Sequence, residues 1–190
     1  MLEGPMVVDG KPETADGREY LRVIEFDVAA GRWSGRHFRY PLEASGLAIG
    51  DFNMIDATRA LVIERDNGEG EPSRACPPGA PAPTCFATPA RFKRVYSVSF
   101  DGVASGGALR KIGHIDLMDI ADPRGLARQG GANGKFNVPF FTIENVDVVD
   151  GEHIVVGNDN NLPFSAARFL DRADDNEVIL LRVPELLGAR

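Results

Sequence analysis

The oxygen-bearing side chains of this sequence gather in two matching places. Glu144 and Asn145 precede the turn signal Asp150-Gly151, and Asn158, Asp159 and Asn160 follow it. Asp51 and Asn53 precede a second turn, Asp56-Ala57-Thr58-Arg59, and Glu64, Arg65, Asp66 and Asn67 follow that one. In an antiparallel hairpin the start of the first strand and the end of the second lie together, so each set is expected to collect at one strand end. Carboxylates and amide carbonyls are hard ligands suited to Ca²⁺, which takes about six to eight oxygens. Zinc and copper would want His or Cys, and none stands nearby. The expected metal ligands are Glu144, Asn145, Asp159, Asn160 and Asp66. A calcium ion there would hold an anionic ester and polarise it toward attack by water. Arg65 would pair with a phosphate oxygen, and Glu144, Glu64 and Arg65 are the expected catalytic residues. The competing reading makes the same residues turn and strand-end chemistry, in which short polar side chains close backbone turns. What argues for a ligand is that the set occurs twice, in matching positions.

Other motifs carry less. Asp171, Asp174 and Asp175 form an acidic loop that reads as a solvated run. Gly130, Gly131, Asn133, Gly134 and Lys135 resemble a phosphate loop, but Gln129 stands where the first glycine belongs and Phe136 replaces Ser/Thr, so the segment reads as a flexible insert. Gly102-Val103-Ala104-Ser105-Gly106 fails the spacing of a nucleophile elbow. His37, His114 and His153 lie on separate expected strands and read as half-buried strand residues, and Phe38, Tyr40, Phe140 and Phe141 as core.

The chain has 190 residues and a formal net charge of -7, with 43% hydrophobic residues, enough for a packed core. The acidic balance excludes a nucleic-acid surface, which needs clustered Lys and Arg. No run of about 18 apolar residues would span a bilayer, and the first residues carry neither the basic nor the apolar region of a signal peptide. Cys76 and Cys85 bracket a loop of Pro77, Pro78, Gly79, Ala80, Pro81, Ala82, Pro83 and Thr84; a local disulfide formed in an oxidising compartment is expected, with two free thiols as the alternative.

The elements that must hold these residues recur along the chain. Residues 48–55 and 60–63 make one hairpin, 142–149 and 153–156 another, and Ile49-to-Asp56 matches Ile143-to-Asp150. After a polar insert each hairpin gains a third strand, 93–100 or 176–183, and the first gains a fourth, 109–117. A truncated copy precedes them: Leu2-Glu3-Gly4 as the end of a second strand, 19–27 as the third and 36–42 as the fourth. Four-stranded antiparallel units in series are the mark of a propeller, although regular short strands also suit a small β-sandwich. The expected architecture is all-β, an incomplete β-propeller of about two and a half blades in an open arc. Its parts are a partial blade at 1–42, a full blade at 46–118, and a final blade at 140–184 lacking its outer strand. Unpaired edges of such an arc would recruit other strands.

Leu61-Val62-Ile63-Glu64-Arg65-Asp66, Lys93-Arg94-Val95-Tyr96, Ile143-Glu144-Asn145-Val146, Asn158-Asp159-Asn160-Asn161-Leu162-Pro163-Phe164 and Asp175-Asn176-Glu177 together resemble the phytase-like (esterase-like activity of phytase) family. The resemblance runs over nearly the whole chain and matches the C-terminal part of the family domain. It implies a bacterial, exported, periplasmic or extracellular propeller whose N-terminal blades and signal peptide would lie upstream. It also implies a phosphoesterase or esterase-like hydrolase acting on a small anionic ester. Two other functions stay open: a non-catalytic propeller that binds a ligand or partner around structural calcium, and a lactonase-like metal propeller.

Overall fold

A computed structural model describes residues 3–80 and 84–190. Leu2, and Pro81, Ala82 and Pro83 of the cysteine-bracketed loop, lie outside the described residues. In chain order the strands are β1 (Val7–Val8), β2 (Lys11–Pro12), β3 (Thr14–Ala15), β4 (Arg18–Asp27), β5 (Arg32–Pro41), β6 (Ala48–Asp56), β7 (Arg59–Arg65), β8 (Lys93–Ser99), β9 (Arg110–Asp116), β10 (Ile120–Ala121), β11 (Gly131–Ala132), β12 (Lys135–Phe136), β13 (Ile143–Val148), β14 (His153–Asn158) and β15 (Val178–Arg182). A short helix, α1 (Pro184–Gly188), closes the chain. The protein is all-β, and its sheets are antiparallel.

Three sheets make up the body: β3-β4-β5, then β6-β7-β8-β9, then β13-β14-β15. The hairpins read from the sequence are all present, and their turns form for a local reason. Asp56 Oδ1 accepts from the Thr58 N–H at 2.9 Å, and Asp150 Oδ1 accepts from the N–H of both Glu152 and His153 at 2.8 Å. Short acids in these positions close a turn on their own backbone. The central strands β7 and β8 are buried without alternation because the middle sheet is covered on both faces. Ala60, Val62, Tyr96 and Val98 pack with Leu21, Phe38, Tyr40 and Leu42 of the first sheet and its flank. Leu61, Ile63 and Val95 pack with Val146, Ile154, Val156 and the α1 side chains Leu186 and Leu187. Each of the Val, Leu, Ile and Phe side chains contributes about 1.5–3 kcal/mol by leaving water, and two cores share one sheet.

Two expectations are corrected. Glu3 and Gly4 sit in a bend, not a strand, and β4 pairs instead with β3. Pro5 has no N–H to give a ladder and restricts the residue before it. The segment read as a flexible insert is a small sheet in the order β10-β12-β11. Its hairpin turns on Asn133 (φ 53°) and Gly134 (φ 74°), the left-handed pair that a tight two-residue turn requires. Cys76 and Cys85 are joined by a disulfide.

Candidate active site

The strand ends that converge are set by two β-bulges. Ile143 pairs with Asn158 and Asn145 with Gly157, leaving Glu144 as the extra residue of β13. In the matching place of β6, Ile49 pairs with Glu64 and Asp51 with Ile63, leaving Gly50. A bulge bends its strand and re-aims the side chain it carries. At Gly50 the bulge brings two sheets into contact: a Cβ there would stand 1.9 Å from the Ile143 carbonyl oxygen. Next to it the Asp51 carboxylate accepts from the Val146 N–H and from Asn53 Nδ2, both at 2.8 Å, and Asn53 Nδ2 also donates to the Val146 carbonyl at 2.6 Å. Asp51 and Asn53 therefore lace β6 to β13. They do not join Glu64, Asp66 and Asn67, contrary to expectation, because their cross-strand partners are Ile63 and Leu61.

Glu144 is half-buried, and Asp159, one residue beyond its hairpin partner strand, is exposed. The Glu144 carboxyl is pushed above the usual range, first by burial and then by the negative charges of Glu3 and Asp159, with Arg65 pulling the other way. Arg65 is 1% exposed. Its guanidinium donates to Asn67 Oδ1 at 2.8 Å and to Glu3 Oε2 at 3.0 Å, and it lies 4.5 Å from the centre of the Phe141 ring. Its Nε is buried without a hydrogen-bond partner among the described residues. The structure thus brings together Glu144, Asp159 and Arg65 and adds Glu3, which sequence reasoning did not single out. The signal for Glu3 was absent locally: its backbone carbonyl accepts from the Ile49 N–H at 2.8 Å, a long-range contact that fixes it at this corner.

The remaining predicted residues have other surroundings. Glu64 is fully buried on the opposite face of β7. It accepts from Tyr40 Oη at 2.5 Å, from the Glu43 N–H at 2.7 Å and from Lys111 Nζ at 2.6 Å, and that ammonium stands 4.1 Å from the Tyr96 ring centre. Burial and the adjacent Glu64 charge drive the Tyr40 phenol far above its normal range. The network holds the first sheet to the second. Asp66 accepts from the backbone N–H of Gly68, Arg91 and Phe92 and pairs with Lys93 Nζ at 2.7 Å. Asn145 is exposed, and Asn160 Oδ1 accepts from the Leu162 N–H at 3.1 Å. Asp174 is buried rather than solvated, and its carboxylate accepts from the Ala167 and Arg168 N–H groups. His37 and His114 are exposed on β5 and β9, and half-buried His153 is paired with Asp150.

The fit to calcium follows from these contacts. Among the described residues no three or more His, Cys, Asp or Glu side chains are grouped to hold a metal ion. Asp66 spends both oxygens on backbone N–H groups and Lys93, and Asn160 closes its own turn. Glu144 and Asp159 repel each other across the corner as a cation would relieve, but they fall short of six oxygens. Among the described residues these side chains do not form a calcium cage.

A model of the phytase-like family, described as esterase-like activity of phytase, matches residues 1–162. No curated protein matches the chain, and no solved structure does.

Proposed function

The chain belongs to the phytase-like family, the esterase-like activity of phytase, and on that premise we propose that it forms part of an esterase-like hydrolase whose reacting group is Glu144. The observation that carries the reading is the bulge that lifts one carboxyl out of the ladder into a corner already occupied by Glu3, Asp159 and Arg65. A carboxyl with raised proton affinity is tuned to take a proton from an attacking water or to return one to a leaving alkoxide. Arg65 is too buried to grip substrate broadly. It acts by holding Glu3 and Phe141 in place and by setting positive charge behind Glu144. Asp159 keeps the corner acidic and favours the protonated form. The substrate class we propose is a small ester, phosphate or carboxylate, approached from the exposed Asp159 side.

Supporting the propeller architecture are the serial order of the three sheets, their face-to-face packing and the close contact of first strands β6 and β13. On this reading the strand ends with Glu144 and Asp159 look onto a common mouth. The Cys76–Cys85 disulfide supports a location outside the cytoplasm. One observation favours the second reading, a binding module: the acids Glu64 and Asp66 are consumed by structural contacts. The two are separated by assaying the protein on p-nitrophenyl phosphate, p-nitrophenyl acetate, phytate and a lactone, each with calcium or with chelator. A hydrolase is expected to lose about a hundredfold or more of its turnover in Glu144→Gln while melting normally. Equal rates in parent and variant would remove Glu144 from the chemistry. Calcium-dependent melting without turnover would establish the binding module.

A further inference from the structure

Two faces of the sheet stack are left open. On the first sheet the register sets Arg22 opposite Arg39, Ile24 opposite His37 and Phe26 opposite Trp33. These side chains share the face turned away from the core. Ile24, Phe26 and Trp33 are 54%, 45% and 64% exposed. Arg39 lies over Tyr20, and its Nε is buried with no hydrogen-bond partner among the described residues. On the third sheet Asp147, Val155 and Leu180 are aligned across β13, β14 and β15, and Val178 lies on the same outer face. Val178 and Leu180 are 71% and 63% exposed. Asp147 accepts one hydrogen bond, from the Val148 N–H, and has no cationic partner among the described residues.

We propose that these faces are a self-association surface, with the outer face of the first sheet of one copy seated on the outer face of the third sheet of a second copy. Three observations select this occupant. Within the chain, the far face of each sheet meets the near face of the next, at two junctions. The faces left over are the near face of the first sheet and the far face of the third, so docking them repeats the same junction between copies. Each presents an apolar row. Their unpaired charges are opposite in sign, Arg39 on one and Asp147 on the other. The contact is heterologous, joining different patches, and such contacts form closed rings or open chains. The inference rests on the sheet order of the architecture proposed above and not on hydrolysis.

The test is sedimentation equilibrium of the full chain from about 1 μM to about 1 mM, with Arg39→Glu and Asp147→Arg. Both residues lie on edge strands of their sheets, β5 and β13, but their side chains stand on the outer faces, so association through strand edges would not be rescued by exchanging the two charges. Each variant is expected to weaken association by about tenfold or more. Mixing the two, or combining both changes in one chain, is expected to restore it. Arg39→Gln, which keeps much of the shape, guards against a folding defect and is expected to weaken association less. A monomer across the range overturns the proposal, as does association that neither charge reversal moves. Turnover is judged separately through Glu144→Gln, so a monomer that hydrolyses esters overturns the docking alone.

Discussion

Glu144 and Asp66 show opposite fates for a carboxylate on these strands. Burial and the charges of Glu3 and Asp159 hold the Glu144 carboxyl above 4.5. The folded protein therefore binds this proton more tightly than the unfolded chain does. The stability so gained is present in full below about 4.5 and is lost as pH rises through the elevated folded value. Replacing Glu144 with Gln removes that loss. Glu144→Gln is expected to melt no lower than the parent at pH 7 and to flatten the fall in Tm from about pH 4 upward; a variant that melts lower at pH 7 with the parent's slope would contradict this. For Asp66, burial works to raise the carboxyl, but Lys93 and the N–H groups of Arg91 and Gly68 outweigh it, and the net displacement is below 3.8. Its contribution is present above 3.8 and disappears as pH falls through the lowered folded value. Lys93 is fully buried, and burial first of all holds its ammonium down to about 8. Asp66→Asn leaves that ammonium with only the carbonyls of Asp66 and Gly68. The expected cost is about 3 kcal/mol at pH 7, measured by urea unfolding and shrinking in acid. A cost that stays constant down to pH 2 would mean that the ion pair contributes nothing.

The bulges in β6 and β13 decide what these strands present. Gly50 and Glu144 occupy equivalent positions in the two hairpins, and only the first must be glycine, because the Ile143 carbonyl fills the space where a Cβ would go. Gly50→Ala is expected to push β6 from β13 and stretch the Asp51–Val146 and Asn53–Val146 bonds, costing about 1–3 kcal/mol. Thermal melting measures the cost, and loss of turnover with the fold retained would show that the corner depends on this seam. A fully tolerated alanine would mean that the two backbones can part freely. The hairpins themselves were readable from residue patterns, since Asp56 and Asp150 close their turns by local hydrogen bonds and Ala60 to Ile63 of β7 is an unbroken apolar run. The Asn133-Gly134 turn was equally readable, but the glycine-rich surroundings suggested mobility instead. What could not be read was the direction of each acid. The bulges break the two-residue alternation on which facing is judged. Glu64 is claimed by Tyr40 from one distant strand and by Lys111 from another. Glu3 reaches the corner through a backbone bond to Ile49 that no local pattern announces.

The middle sheet makes the molecule one cooperative body. Val62 and Ile63 are neighbours in β7, both fully buried, and they point into different cores. Loss of either core strips one face of the sheet on which the other core is built. The sole tryptophan, Trp33, lies on the first sheet against Phe26 with ring centres 5.0 Å apart, so its fluorescence reports that sheet alone. Ile63→Ala leaves a cavity facing the third sheet and is expected to cost about 2–5 kcal/mol. If the cores unfold together, the midpoint followed by Trp33 in urea shifts by the same amount as the midpoint followed by far-ultraviolet circular dichroism, although Trp33 is nowhere near the cavity. Coincident curves are the test of a single transition. If the first sheet instead kept its original midpoint while the circular dichroism curve split, each pair of sheets would be stable alone. The Tyr40–Glu64–Lys111 network argues against that outcome. It ties β5, β7 and β9 through a carboxylate with no access to water, and separating the first sheet from the second would leave that buried charge without its partners.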